Sequence, residues 1–337
     1  MIAPLTEHLA EHLVDQHGRV VDDLRISLTD RCNFRCVYCM PAEGLQWLPR
    51  EQTLTAAEIV RLARLFVAMG TRTIRLTGGE PLLRRDIIAI VAALAALHPE
   101  LDISLTTNGF GLAAMAQRLA DAGLGRVNVS LDSLNADRFA EITRRDCLQR
   151  VLDGIAAARA AGLDPVKVNA VIVRGVNDGE ITAFARFARD MGVVVRFIEY
   201  MPLDASHQWT RDNVVAGDEL LDAVEQEFPM VAKTIGHDPA TRYGFADGAP
   251  GELGFINSVS APFCARCNRV RIVADGMLRT CLFAIEESDL RTPLRSGATD
   301  IALEQLIRTA VWGKQAGHGI NEPAFERPER SMSQIGG

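Results

Sequence analysis

The chain has 337 residues, 48% hydrophobic and 23% charged, which suits one large α/β domain with a smaller addition. A formal net charge of −7 argues against a general nucleic-acid binder but leaves room for a local pocket of converging arginines. The seven cysteines are odd in number and spaced like ligands, not like a disulfide framework, which predicts reduced thiols and a cytoplasmic setting. No secretory leader is visible. The longest apolar run, Ile87–Leu97, is about half of the roughly 20 residues a membrane span needs, so no membrane association is expected.

Along the chain, short apolar runs predict strands at Arg25–Thr29, Thr73–Thr77, Asp102–Thr107, Arg126–Leu131, Val166–Val173 and Val193–Glu199. Helical patterns lie between them. The clearest is Thr55–Met69, where Ile59, Leu62, Ala63 and Phe66 share a face, Thr55 and Glu58 form a capping box, and Leu54 with Ile59 makes a hydrophobic staple. Strand–helix alternation implies parallel strands with helical crossovers. Polar motifs recur just after successive strands, where barrels carry their active sites, so an incomplete (β/α)6 TIM barrel fits better than a doubly wound sheet. After residue 216 the rhythm changes. A helix near Asp218, turn-rich stretches around Asp238-Pro239 and Asp247–Gly251, strands at Leu253–Ser258, Val270–Ala274 and Met277–Leu282, and helices at Glu286–Arg295 and Asp300–Trp312 are expected. Three regions follow: 1–216, 217–320, and an extended tail, 321–337, ending Gly336-Gly337.

Directly after the first strand comes Thr29-Asp-Arg-Cys-Asn-Phe-Arg-Cys-Val-Tyr-Cys-Met40. Cys32, Cys36 and Cys39 can grip one iron–sulfur cubane, leaving one iron open to a small molecule. A structural zinc site would need a fourth ligand from elsewhere and is the weaker reading. Cys264, Cys267 and Cys281 form a second triplet, again without a fourth cysteine. Two cubanes, each with an open iron, follow. Arg269 and Arg271 fall on one face of the strand between these ligands and suit a polyphosphate.

The first loop resembles that of the radical S-adenosylmethionine enzymes. With Leu76-Thr-Gly-Gly-Glu-Pro-Leu82, Asn128-Val-Ser-Leu-Asp-Ser133, Phe197-Ile-Glu-Tyr-Met-Pro202, Phe263-Cys-Ala-Arg-Cys-Asn-Arg-Val-Arg271 and the final Gly-Gly, the chain from about Arg19 onward resembles the GTP 3′,8-cyclase family of molybdenum cofactor biosynthesis. The resemblance implies a lyase with two [4Fe-4S] clusters and S-adenosylmethionine, in which a deoxyadenosyl radical takes hydrogen from the ribose C3′ and the resulting radical attacks guanine C8. It implies that Cys32, Cys36 and Cys39 hold the first cluster, and that Tyr38, Gly78, Gly79, Glu80, Ser130 and Met201 contact S-adenosylmethionine. It implies that Cys264, Cys267 and Cys281 hold the second cluster. Arg25, Arg75, Thr106, Lys167, Arg269, Val270 and Arg271 face GTP, with Arg25, Arg269, Arg271, Gly336 and Gly337 in catalytic roles. It further implies an electron-donor protein, and it is compatible with a homodimer and with hand-off of product to the next enzyme. Tyr200, Leu203-Asp204 and Val273 depart from the family pattern without removing a ligand.

Other signals are weaker. His8-Leu-Ala-Glu-His12 copies a zinc-peptidase spacing on what reads as a polar helix face. Gly109-Phe-Gly-Leu-Ala-Ala114 mimics a dinucleotide fingerprint but lacks its acidic partner and reads as a tight turn. Cys147 stands alone and reads as packing. The competing functions are another radical enzyme with an auxiliary cluster, such as a peptide maturase, and a non-catalytic iron–sulfur protein.

Overall fold

A computed structural model describes residues 12–204, 207–233 and 238–336. The strands are β1 (Asp23–Ser27), β2 (Thr73–Thr77), β3 (Asp102–Thr107), β4 (Arg126–Ser130), β5 (Val166–Ile172), β6 (Val194–Glu199), β7 (Met230–Ala232), β8 (Thr241–Phe245), β9 (Glu252–Ile256), β10 (Arg269–Ile272), β11 (Met277–Arg279) and β12 (Ser288–Asp289). They join in one sheet, ordered β12-β11-β10-β1-β2-β3-β4-β5-β6-β9-β8-β7. The strands from β10 to β9 in that order pair in parallel and form the barrel wall. The six strands expected from the sequence are all present. The wall gains β9 and β10, one at each side, from residues beyond 216. That C-terminal region is therefore built into the same sheet.

Each barrel strand alternates. Leu24, Ile26, Ile74, Leu76, Val127, Val129, Val195 and Phe197 point outward and are buried under helices. The other parity carries Arg25, Arg75, Ser104, Asn128, Lys167 and Arg196, which the parallel register places side by side on the inner face. Ordinary parallel sheets are apolar on both faces. The inner face of this barrel carries charged and amide side chains instead.

The outer helices include α1 (Ala56–Ala68), α2 (Ile87–Ala95), α3 (Ala116–Asp121), α4 (Ala136–Thr143), α5 (Leu148–Ala160) and α6 (Ile181–Met191). In α1 the expected capping box forms: Glu58 N–H donates to Thr55 Oγ1 at 3.3 Å, and Thr55 N–H to Glu58 Oε2 at 2.7 Å. Leu54 and Ile59 are both buried, as the staple requires. Gly109 occupies a left-handed turn (φ +78°) where a Cβ would meet Val129 Cγ1 at 2.9 Å, so it is a packing turn.

Beyond α7 (Gly217–Glu225), β7 and β8 form an antiparallel hairpin that the turn-rich sequence did not announce. The helix expected over Glu286–Arg295 is confined to α8 (Arg291–Arg295), because Ser288–Asp289 pairs with β11 instead. It is followed by α9 (Asp300–Trp312). The tail is not extended throughout: Ser331 caps a short helix, α10 (Met332–Ile335). His8 and Glu11 of the zinc-peptidase spacing, and Gly337, lie outside the described residues.

Candidate active site

One large cavity at the C-terminal mouth of the barrel is lined by all six cysteines of the two triplets, with Arg25, Arg75, Arg196, Arg269 and Arg271 on its floor and sides. The first cysteine loop is seated by its own sequence. Phe34, between Cys32 and Cys36, is buried edge-on against Phe110 and Phe139, with centroids 6.2 and 6.1 Å away. Arg35 and Val37 donate main-chain hydrogen bonds to Thr143 and Ile142 carbonyls at the end of α4, at 3.1 and 2.9 Å. Asn108 Nδ2 donates to Asn33 Oδ1 at 2.8 Å.

Gly78 and Gly79 do something the sequence did not specify. A Cβ on Gly78 would come 2.4 Å from the Thr29 carbonyl oxygen, and one on Gly79 equally close to that of Arg31. Gly79 and Glu80 N–H groups donate to those two carbonyls, both at 2.7 Å. The glycines thus let the loop after β2 lie against the cysteine loop, besides lining the cavity. Glu80 does not line it. Its carboxylate accepts from Leu82 N–H at 3.0 Å, Thr107 Oγ1 at 2.7 Å and Asn108 N–H at 2.7 Å, so it struts two loops together. Burial pushes it up to about 7 despite those donors.

Tyr38, Ser130, Thr106 and Met201 line the cavity. The Tyr38 hydroxyl donates to Asp132 Oδ2 at 2.6 Å, and Asp132 Oδ1 accepts from Val171 N–H at 2.8 Å. Burial lifts Asp132 to about 6, against those two bonds. The side chain of Val270 shares the parity of Leu24 and points into the outer core, which leaves its main chain as the part that can face the barrel interior. Lys167 is on the inner face but stands outside the cavity wall, held by Asp238 at 3.1 Å. Burial outweighs that carboxylate and lowers Lys167 to about 8. Asp238 drops to about 2 because Lys167 and Arg196 together overcome its own burial.

Arg196, Asn128, Asn169 and Asp132 escaped sequence reading. Arg196 Nε donates to Asn169 Oδ1 and Nη2 to Asn128 Oδ1, each at 2.9 Å. The available signal was inward parity within strands already recognised. Arg25 Nε is buried without a hydrogen-bond partner. Burial, then repulsion from Arg75 and Arg269, lowers Arg25 well below the usual guanidinium range. Such a group is short of an anion.

The tail closes over this mouth. Arg271 Nη1 donates to the Gly336 carbonyl at 2.6 Å, Ser27 Oγ donates to that of Ile335 at 3.1 Å, and Met332 and Ser333 line the cavity. Cys147 is apart, at a shallow surface pocket beside Phe110 and Arg150.

Residues 26–188 match the Radical SAM superfamily, and residues 193–320 match the Molybdenum Cofactor Synthesis C family. The chain is 53% identical to the GTP 3′,8-cyclase of Mycolicibacterium smegmatis, covering 96% of this chain and 92% of the relative. It is 51% identical to that of Streptomyces coelicolor, covering 97% of each. The chain belongs to the GTP 3′,8-cyclase family. At the level of fold it is similar to Streptococcus suis SuiB bound to S-adenosylmethionine, with a TM-score of 0.62 at 15% identity over 94% of this chain and 77% of that one.

Like the family, this cyclase is a radical enzyme whose cofactors are S-adenosylmethionine and two [4Fe-4S] clusters. Its donor sets fit them. All seven cysteines are free thiols. Burial, then mutual repulsion with Cys32, pushes Cys39 up to about 12. In the second triplet, burial acts upward on Cys267, but Arg269 and Lys314 hold it at about 6.

Proposed function

We propose that this chain converts GTP to (8S)-3′,8-cyclo-7,8-dihydroguanosine 5′-triphosphate, in the cavity between its two cysteine triplets. The observation that carries this reading is the cation-lined barrel floor facing both triplets at once. Arg25, Arg75, Arg196, Arg269 and Arg271 line the cavity against one carboxylate, Asp132, among the described lining residues, and Arg25 Nε has no hydrogen-bond partner. That surplus suits a triphosphate, whose oxygens pair with guanidinium forks.

Cys32, Cys36 and Cys39 hold the first cluster, and Cys264, Cys267 and Cys281 the second. Tyr38, Gly78, Gly79, Ser130 and Met201 surround S-adenosylmethionine, with Glu80 fixing the loop that carries the two glycines. When bound, the first cluster and S-adenosylmethionine supply the carbon-centred radical that takes hydrogen from the ribose C3′. The chain's share is positioning. Arg25 and Arg75 hold phosphate oxygens from the floor, Thr106 lies beside the sugar, and Arg269, stacked at 4.6 Å on Phe263, presents a fixed cation next to the second triplet. Arg271 is aimed by the Gly336 carbonyl. The tail and the apolar group of Leu203, Val259, Phe283 and Ile335 keep water from the mouth. Free thiols, and the lack of a membrane-crossing helix among the described residues, support a cytoplasmic enzyme supplied with electrons by a separate protein.

The test is anaerobic reconstitution followed by assay of deoxyadenosine from S-adenosylmethionine, with and without GTP. Stimulation by GTP with a cyclised nucleotide supports the reading. Deoxyadenosine indifferent to GTP removes GTP as substrate, and none at all from protein carrying both clusters removes the enzyme.

A further inference from the structure

Lys314, just past α9, is only 2% exposed, yet its hydrogen bonds go to main-chain carbonyls and not to a carboxylate. Its ammonium donates to the Arg269 carbonyl at 2.7 Å and to that of Thr280. Those carbonyls open β10 and follow β11, within two residues of Cys267 and next to Cys281. One lysine therefore ties together both strand ends that carry ligands.

The residues after it embrace the third ligand. Arg19 donates to the Gln315 and Ala316 carbonyls at 2.6 and 2.8 Å, and to the Cys264 carbonyl at 2.7 Å. A Cβ on Gly317 would lie 3.5 Å from that of Cys264. Arg19 is neutralised by Asp15, at 2.5 Å. Lys314 has no such carboxylate: its ammonium bonds are to the carbonyls of Arg269 and Thr280, two residues after Cys267 and directly before Cys281. A buried ammonium facing only neutral carbonyls is costly, so it needs an anion close by.

We propose that Lys314 is a positioning residue of the second triplet and a fixed cation beside it, holding together the two strand ends that carry Cys267 and Cys281 and raising the reduction potential of the cluster they hold. This rests on the two-cluster reading above. The effect is electrostatic: a cation beside a cluster favours its reduced, more negative state.

The experiment compares anaerobically reconstituted wild type, Lys314→Gln and Lys314→Arg. Iron per chain is measured, together with the second cluster's potential by redox-titrated electron paramagnetic resonance, while retention of the first cluster serves as the check on folding. Lys314→Gln is expected to move the second potential to a more negative value, or to lose about half of the iron, and Lys314→Arg to restore both. Wild-type iron and potential in Lys314→Gln would overturn the inference alone. Equal loss in Lys314→Arg would also overturn it, since fit and not charge would then be the cause. A wild-type chain taking up only one cluster would overturn the two-cluster reading and this inference with it.

Discussion

The docked tail invites a Gly336→Ala substitution. Gly336 has φ +85°, and a Cβ there would lie 1.9 Å from Ser27 Oγ and 3.0 Å from Thr77 Cγ2. A left-handed alanine costs about 1–2 kcal/mol. Ser27 must also move, giving up its bond to the Ile335 carbonyl, worth about 1 kcal/mol net. If the turn shifts, the Arg271 bond to the Gly336 carbonyl goes too, about 1.5–3 kcal/mol for a charged donor. Together these weaken docking by about 4 kcal/mol, on the order of a 10³-fold change in the docked fraction. The fold itself should survive, because the barrel strands do not depend on α10. We therefore expect turnover to fall steeply while both clusters stay bound and the tail becomes sensitive to carboxypeptidase. Ser27→Ala in the same chain removes the 1.9 Å contact and should recover part of the loss, but not the left-handed cost. A Gly336→Ala enzyme with wild-type turnover and a protected tail would refute the reasoning.

Further outcomes are open to direct measurement. Burial places Lys167 at about 8, so it is charged below that pH and neutral above it; the charge on its ammonium should decline as pH rises through this value, followed by nuclear magnetic resonance of its Nζ. Asp238 supports the Lys167 charge, so Asp238→Asn should move that decline to lower pH, and an unmoved profile would exclude the pairing. Asp238 itself, lowered from 3.8 to about 2, stabilises the fold above about pH 4 and loses that contribution as pH falls toward 2; acid denaturation of wild type and Asp238→Asn should converge there. Tyr38→Phe removes a hydrogen bond to a buried carboxylate and should cost about 1.5–3 kcal/mol in denaturant titrations. Cys281→Ala should lose the second cluster and keep the first, so that iron falls by about half; loss of both would mean the triplets are not independent.

The alternating strands, the capped α1, both cysteine triplets and most of the arginines were legible in the sequence, because spacing and parity are local properties of the chain. Parity alone could have turned the Val270 side chain outward and brought Arg196 inward, once their neighbours in the sheet were known. The rest depended on contacts between distant segments. No local pattern says that β9 and β10 join opposite sides of one barrel, since strand pairing is chosen by the closed sheet. Nor does it say that Gly78 and Gly79 make room for the carbonyls of Thr29 and Arg31, or that Glu80 spends its lone pairs on Thr107 and Asn108. The sequence by itself determined which chemistry this protein can carry, through ligand types at fixed spacing. Only the tertiary structure decided where the charges go: Asp238 onto Lys167, Gly336 onto Arg271, and Lys314 behind the second triplet, because each of those pairings joins groups far apart in the chain that only the closed sheet brings together.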